Sequence, residues 1–165
     1  MKSPRKTPSR DEKYMALAFA FSFFSKDPDT QIGAYIVNSE NYPLGGGYNG
    51  PPRNIDDNEV NWERPHKYDY IIHAEINAIN HCKESLKDCT LYVTAKPCKV
   101  CTLYMASKGI KEIVYFDFTS DKNSSLNNTE HNEISNKIIE LSGIKVRKFE
   151  GDLSWFKNDI LNIKI

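Results

Sequence analysis

The sequence predicts a three-layer α/β/α sandwich around one mixed five-stranded sheet. A helical segment and a two-stranded hairpin come first, strands and helices then alternate along the chain, and no segment repeats. Alternation of this kind places helices on both faces of a sheet. A chain of 165 residues fits one domain of ordinary size. We therefore predict a single domain over residues 11–165, preceded by a disordered tail over residues 1–10 that is rich in Lys, Arg, Ser and Pro.

The first half of the chain contains the helix, the hairpin and a long loop. The run DEKYMALAFAFSFFS at 11–25 is rich in Ala, Leu and Phe, which predicts a largely buried helix. Residues 31–37 and 44–48 predict two strands, because turn-forming Asn and Ser residues separate them. Residues 49–70 contain three prolines and predict a loop. A loop of this length inside a compact domain is usually functional or mobile.

Helices and strands alternate in the second half. A polar loop is predicted at residues 117–129, between the strand predicted at 112–116 and the helix predicted at 130–141. Helices are predicted at residues 72–82, 98–107 and 130–141, and strands at residues 90–94, 112–116 and 144–147.

The overall charge argues against a polyanionic partner. The 22 basic and 22 acidic side chains cancel, so no net field attracts nucleic acid or an anionic membrane. No apolar run approaches the roughly 20 residues that span a bilayer. We expect a cytoplasmic protein without nucleic-acid or membrane partners. In a reducing compartment, four cysteines indicate a metal or thiol site before they indicate disulfides.

Two short motifs carry the chemistry: HAE at 73–75 and PCKVC at 97–101. Cys98 and Cys101 are three residues apart at the start of a predicted helix, so their side chains share one face. The unpaired amides of a helix N-terminus favour the thiolate form, which binds metal. With His73 they supply one imidazole and two thiolates, the ligand set of a catalytic zinc ion whose fourth position is open.

Glu75 lies two residues beyond the histidine, at the start of another predicted helix. Its carboxylate can reach the open coordination position without binding the metal. Alone, C-x-x-C also occurs in redox pairs and structural zinc sites, and H-x-E alone means little. H-x-E followed by P-C-x-x-C is a recorded signature of zinc deaminases. The two motifs together therefore favour a catalytic zinc site with Glu75 as the proton carrier.

The sequence resembles the deoxycytidylate (dCMP) deaminases of the cytidine deaminase-like superfamily. The resemblance covers residues 14–149, and it lies in SKDPDTQIGAYIVNSEN, GYNG, HAEINAI, LYVTAKPCKVC and GIKEIVYF. It implies a cytidine deaminase-like fold and the hydrolysis of dCMP to dUMP and ammonia, which supplies dUMP for thymidylate synthesis. Glu75 would then move protons between a water molecule, the base and the departing amine.

The resemblance also implies substrate contacts. Asn49 of GYNG matches the asparagine that holds the sugar hydroxyl, and the backbone near Ala95 and Pro97 would line the base pocket. Tyr115 is a candidate lining residue with a core role as its alternative. Ser25 and Lys26 are candidates for the 5′-phosphate. Some family members carry arginine just before this serine, where the chain has Phe24. The phosphate role is therefore open, as is the choice between a mono- and a triphosphate, and the candidates are Lys26, Arg53, Arg64 and Lys67.

Regulation and assembly follow from the resemblance alone. It implies a homohexamer activated by dCTP and inhibited by dTTP, with Tyr48 and Gly50 near an allosteric site and Mg²⁺ accompanying a nucleotide effector. Some relatives bind a second, structural zinc. We predict one zinc ion per subunit, because the remaining Cys and His residues show no convincing ligand spacing: Cys82, Cys89, His66, His81 and His131.

Other functions could use the same zinc core. One alternative is a deaminase of another cytosine nucleotide such as dCTP. A second is a nucleic-acid deaminase acting on tRNA adenosine or single-stranded cytidine, which needs a basic groove. A third is a non-enzymatic zinc module. The neutral charge favours the free-nucleotide deaminase, as does the resemblance of SKDP, GYNG and the NAI after Glu75 to the nucleotide branch of the superfamily.

Overall fold

A computed structural model describes residues 2–4, 6–117 and 129–160. Its centre is one five-stranded sheet in the order β2-β1-β3-β4-β5. Strand β1 is antiparallel to β2 and β3, whereas β3, β4 and β5 are parallel. The predicted mixed five-stranded sheet is confirmed. The strands are β1 (Gly33–Val37), β2 (Pro43–Tyr48), β3 (Thr90–Val93), β4 (Glu112–Tyr115) and β5 (Lys145–Lys148).

In the described part of the chain, four α-helices accompany the sheet, each where the sequence predicts one. Short 3-10 turns at Asp57–Glu59 and His66–Asp69 interrupt the long loop, and a π-helical turn spans Phe156–Ile160. Residues 118–128 of the predicted polar loop lie outside the described residues. The helices are α1 (Arg10–Ser22), α2 (Ala74–His81), α3 (Lys99–Ser107) and α4 (Thr129–Ser142).

Helix α1 differs from its prediction at both ends. It begins at Arg10 because Ser9 forms a capping box: its hydroxyl accepts a hydrogen bond from the Glu12 amide, and the Glu12 carboxylate accepts one from the Ser9 amide. It ends at Ser22, whose hydroxyl donates to the carbonyl of Phe19. The predicted end at residue 25 was therefore three residues too late.

The two faces of the sheet bury separate apolar clusters, which makes the fold three-layered. One face packs against α2 and α3 through strand residues that include Ala34, Leu91 and Ile113. The opposite face packs against α1 through Tyr92 and Val114. Adjacent residues along β3 and β4 thus serve opposite layers, as the two-residue period of a strand requires. None of the helices in the described residues is long and apolar enough to cross a membrane.

A glycine fixes the position of α2 on the sheet. A Cβ atom added to Gly47 in β2 would overlap the backbone nitrogen of Ala78 and the carbonyl oxygen of Ala74. The helix backbone therefore rests directly on the strand, which only glycine permits here. This contact sets where the N-terminus of α2 lies, and the motif at 73–75 occupies that N-terminus.

A polar cluster ties α1 to the sheet on its other face. Arg147 donates to the Asp11 carboxylate at 2.6 Å and to the Glu112 carboxylate at 3.0 Å, and Tyr92 donates to Asp11 at 2.8 Å. Burial would raise the pKa of Asp11, but the hydrogen bonds from Arg147 and Tyr92 outweigh it and hold the pKa below its usual range. The pKa of Glu112 is lowered in the same way, because hydrogen bonds from Arg147 and Lys145 outweigh burial.

Replacing Arg147 with Met should therefore destabilise the protein in a pH-dependent way. Carboxylates with lowered pKa values stabilise the fold above their unfolded pKa of about 4, and this stabilisation is lost as the pH falls through the folded pKa. We expect a loss of about 1–2 kcal/mol in the free energy of unfolding at pH 7, which shrinks as the pH falls through the lowered pKa values of Asp11 and Glu112. Urea titrations at pH 7 and at an acidic pH below those pKa values measure it, with Lys137→Met, in an exposed ion pair, as control. An equal loss at both pH values would contradict the assignment.

Candidate active site

Two helix N-termini bring three potential metal ligands together. His73 is the N-cap residue of α2, Cys98 is the N-cap residue of α3, and Cys101 lies in the first turn of α3. One nitrogen of His73 and the two sulfur atoms all lie within 4.8 Å of one another. We call these residues the ligand cluster. Cys101 is fully buried, so the cluster is anchored in the core at one side.

The cluster fits a zinc ion in both its donors and its spacing. The Nδ1 atom of His73 lies 3.3 Å from the sulfur of Cys101 and 3.6 Å from that of Cys98. Tetrahedral zinc, with bonds of about 2.3 Å to sulfur and about 2.0–2.1 Å to nitrogen, places these atoms ~3.6 Å apart. Among the described residues no further His, Cys, Asp or Glu joins the cluster. Three protein ligands are the number that a catalytic zinc site uses.

Hydrogen bonds within the ligand cluster shift the pKa values of its members. A hydrogen bond from Cys101 lowers the pKa of Cys98 to about 3, and a hydrogen bond to Cys98 raises the pKa of His73 to about 9. The hydrogen bond to Cys98 raises the pKa of Cys101. The thiolate of Cys98 thus holds protons on its neighbours. Because a metal needs deprotonated ligands, zinc binding must displace those protons.

Glu75 stands beside the cluster but outside it. It lies in the first turn of α2 and is 4% exposed. Burial raises the pKa of its carboxyl group. A raised pKa brings a carboxyl group closer to neutral pH, where it can both accept and deliver a proton. Glu75 lines the same cavity as His73 and Cys98.

The cavity at the cluster has a volume of about 130 Å³. Its wall combines apolar side chains with convergent polar groups, which is typical of small-molecule sites. Among the residues singled out from the sequence, Asn49, Ala95, Arg64 and Lys67 line it. The full lining is Asp27, Thr30, Ile32, Asn49, Arg64, Lys67, Tyr68, Ile71, His73, Ala74, Glu75, Ala95, Lys96 and Cys98.

Thr94 ties the cavity wall at Ala95 to β1. Its hydroxyl accepts a hydrogen bond from the amide of Gly33 at 3.0 Å, and its own amide donates to the carbonyl of Gly33 at 3.0 Å. The chain then continues through Ala95 to Cys98. These hydrogen bonds fix the segment that contributes Ala95 to the cavity wall and Cys98 to the ligand cluster.

Other residues named from the sequence lie outside the cavity lining. Ser25 donates a hydrogen bond to the carbonyl of Asn49 at 2.8 Å. Lys26 forms an exposed ion pair with Asp57. Pro97 is buried between two lining residues. Tyr115 is partly buried against the core cluster that packs on α2 and α3.

The residues named for regulation lie at the end of β2. Tyr48 is 36% exposed, its ring contacts that of Phe24 at a centroid distance of 5.9 Å, and its carbonyl accepts a hydrogen bond from Asn77. Gly50 forms an isolated bridge with Ile72, just before His73. Neither Tyr48 nor Gly50 lines the cavity.

Sequence reasoning missed several lining residues. Asp27 and Lys96 both line the cavity, but neither is among the site residues predicted from the sequence. Lys96 has a local signal, since it directly precedes the P-C-x-x-C motif. Thr30, Ile32, Tyr68 and Ile71 were also missed, and their composition gives no sign of a site.

Comparisons with known proteins agree with this geometry. The family profile described as the cytidine and deoxycytidylate deaminase zinc-binding region matches residues 8–117. The deoxycytidylate deaminases of Pongo abelii and Homo sapiens are each 39% identical over 145 residues, covering 84% of this chain and 78% of theirs. The dCMP deaminase of cyanophage S-TIM5 superposes with a TM-score of 0.65 at 25% identity, covering 87% of this chain and 100% of that one. The chain therefore belongs to the cytidine and deoxycytidylate deaminase family.

Proposed function

We propose that the protein hydrolyses dCMP to dUMP and ammonia and so supplies dUMP for thymidylate synthesis. The observation that carries the proposal is the ligand cluster sharing one cavity with the buried carboxyl group of Glu75. The relatives named deoxycytidylate deaminase, at 39% identity over most of the chain, support dCMP over other amine-bearing substrates.

The chain's own residues divide the work. His73, Cys98 and Cys101 would hold one zinc ion. When bound, this ion supplies Lewis-acid chemistry that lowers the pKa of a water molecule towards neutral pH. Glu75 accepts one proton from the water molecule and delivers it to the ring nitrogen of cytosine, while the water oxygen bonds to C4. Glu75 then takes the second proton of that oxygen and passes it to the amine, so that the C4–N bond breaks and ammonia leaves. A carboxylate suits this role because it alternates between base and acid within one turnover.

The cavity wall suits a deoxycytidine unit. The backbone at Ala95 and the apolar side chains of Ile32 and Ile71 line the cavity and can flank the base. Asn49 is 6% exposed and lines the same cavity. We assign to Asn49 the contact with the sugar hydroxyl.

Arg64 is our candidate for the 5′-phosphate ligand. It lines the cavity, its side chain is 41% exposed, one of its nitrogens donates to the Thr30 hydroxyl at 2.6 Å, and its Nε atom lies 3.6 Å from the exposed Asp29 carboxylate. A guanidinium group has five N–H donors, so most remain for a phosphate after these two contacts. The other candidates are less suitable. Lys26 is paired with Asp57 outside the lining, Arg53 is exposed and also outside the lining, and the ammonium group of Lys67 is buried against two carboxylates.

A substrate panel tests the function. Zinc-loaded protein should release ammonia fastest from dCMP when dCMP, dCTP, cytidine and a single-stranded oligonucleotide are compared at equal concentration. Turnover of the oligonucleotide alone would favour the nucleic-acid deaminase instead. Turnover of none of them by protein of verified zinc content would favour the non-enzymatic zinc module.

Replacing Arg64 with Met should slow the turnover of dCMP but not that of deoxycytidine. We expect kcat/KM for dCMP to fall about 10- to 100-fold, mainly through KM, because a charge-assisted contact to the phosphate is lost. Deoxycytidine has no phosphate, so the parent and the variant should process it at similar rates. An equal loss on both substrates would assign Arg64 to the structure of the loop rather than to the phosphate.

We also extend the resemblance to regulation and assembly. The proposals are activation by dCTP with Mg²⁺, inhibition by dTTP, a contribution of Tyr48 and Gly50 to that response, a homohexamer with one zinc ion per subunit, and a cytoplasmic location. The exposed Tyr48 at the end of an edge strand is compatible with such a contact surface. Light scattering with and without the two effectors tests the assembly.

A further inference from the structure

Lys67 is a charged side chain buried in the cavity wall. It is 1% exposed and lies in the 3-10 turn at His66–Asp69, within the long loop before α2. Its ammonium group donates to the Asp27 carboxylate at 2.7 Å and to the Asp29 carboxylate at 3.0 Å. Burying a charge is costly unless it is paired, so this ion pair fixes the loop to the turn that follows α1.

Asp27 gathers contacts from three parts of the chain. Besides Lys67, its Oδ1 atom accepts hydrogen bonds from the amides of Asp29 at 2.9 Å and Thr30 at 3.0 Å. Its Oδ2 atom lies 3.5 Å from the side-chain nitrogen of Asn49. Asp27 is 3% exposed, so this carboxylate links the buried lysine to the residue we assign to the sugar.

These contacts fix which end of the Asn49 amide is oxygen. The amide of Ile32 donates at 2.8 Å, so the atom that it meets must be Oδ1. The carbonyl of Thr30 accepts at 2.9 Å, so the atom that it meets must be Nδ2. The two hydrogens of Nδ2 thus point at Thr30 and Asp27. Among the described residues only the Ile32 amide donates to Oδ1, which keeps one lone pair for a further donor. Asn49 can therefore accept a further hydrogen bond but cannot donate one.

We propose that Lys67 is a positioning residue that acts through Asp27 to hold Asn49 as an acceptor for the 3′-hydroxyl of the deoxynucleotide. The inference rests on the proposed function, because that function supplies the sugar. A 2′-deoxynucleotide offers the 3′-hydroxyl as its sugar donor, and a hydroxyl can donate to the free lone pair of Oδ1.

Removing the lysine charge should disturb Asn49 specifically. Without Lys67, the buried Asp27 carboxylate has lost its counter-charge, and it lowers that cost by turning towards water. That movement removes the acceptor that faces Nδ2 of Asn49. The amide then loses its fixed orientation, and with it the selective contact to the hydroxyl.

The test compares two substrates that differ only in the 3′-hydroxyl group. The parent, Lys67→Met and the control Lys137→Met are assayed on dCMP and on 2′,3′-dideoxycytidine monophosphate. For Lys67→Met we expect kcat/KM to fall about 10- to 100-fold on dCMP and less than about threefold on the dideoxy analogue. The reason is that only dCMP has the 3′-hydroxyl whose buried hydrogen bond to Asn49 is lost. Lys137, in an exposed pair with Glu140, should change neither rate.

A second variant guards against misfolding. Lys67→Met combined with Asp27→Asn removes both charges, so no unpaired charge stays buried, and the amide oxygen can still accept from the turn. We expect the same loss of preference for dCMP over the dideoxy analogue. Equal losses on both substrates, or an unchanged preference in folded, zinc-loaded variants, would overturn the inference. A parent that prefers neither substrate would also overturn it, whereas a parent inactive on both would overturn the proposed function itself.

Discussion

Replacing Glu75 with Gln is expected to lower kcat for dCMP by about 10²- to 10⁴-fold, the range that a general acid–base group contributes. Glutamine has nearly the same shape and still forms hydrogen bonds, but it cannot exchange a proton. Glu75 is 4% exposed, so solvent has little access to replace it as the proton carrier. Because Glu75 is outside the ligand cluster, zinc content should stay at the parent level.

Three measurements on the same sample separate this loss from misfolding. Metal analysis gives the zinc stoichiometry, circular dichroism gives the fold, and ammonia release gives kcat. The matched control is Glu84→Gln, an exposed glutamate that does not line the cavity. If Glu75→Gln kept more than about a tenth of the parent kcat, the proton would have to move by a route that does not use this carboxyl group.

The layers of the fold were predictable because they follow from local rules. Adjacent strands joined by a short turn pair antiparallel, as β1 and β2 do, and a strand–helix–strand unit gives parallel neighbours, as β3 and β4 show. Helix ends were less predictable, since they depend on single side chains. The start of α1 does have a sequence signal, the S-x-x-E capping-box pattern of Ser9 and Glu12, which the prediction overlooked. Its end is set by the hydroxyl of Ser22, and a single serine gives no such signal.

The ligand cluster could also be predicted from the sequence, because the residues of each motif, at 73–75 and 97–101, lie close together at the start of one helix. His73 and Cys98 occupy equivalent N-cap positions, and the structure brings them together with Cys101. The wall around the cluster was not accessible in this way. Lys67 and Asp27 are 40 residues apart, and neither position shows a pattern that predicts a buried ion pair. Long-range polar pairs depend on how the long loop folds back, which no local rule determines.

Removing one ligand should have the second large effect. In Cys98→Ala we expect zinc content to fall from one ion per chain to near zero, and turnover of dCMP to be lost with it, because two remaining ligands hold zinc too weakly. The matched control is Cys82→Ala. Cys82 and Cys98 are both partly buried against the same core cluster, so the loss of apolar contact is similar, but only Cys98 belongs to the ligand cluster.

The free energy of unfolding should show the same difference between Cys98→Ala and Cys82→Ala without an activity assay. A ligand that binds only the folded state stabilises it by about 3–4 kcal/mol when present at 10²–10³ times its dissociation constant. Chelator treatment should therefore lower the free energy of unfolding of the parent and of Cys82→Ala by about this amount, and leave Cys98→Ala unchanged. Since zinc competes with protons at His73 and Cys101, the parent should also lose zinc as the pH falls. A Cys98→Ala protein that retained one zinc ion and its response to chelator would place the metal at other residues and remove the basis for the proposed chemistry.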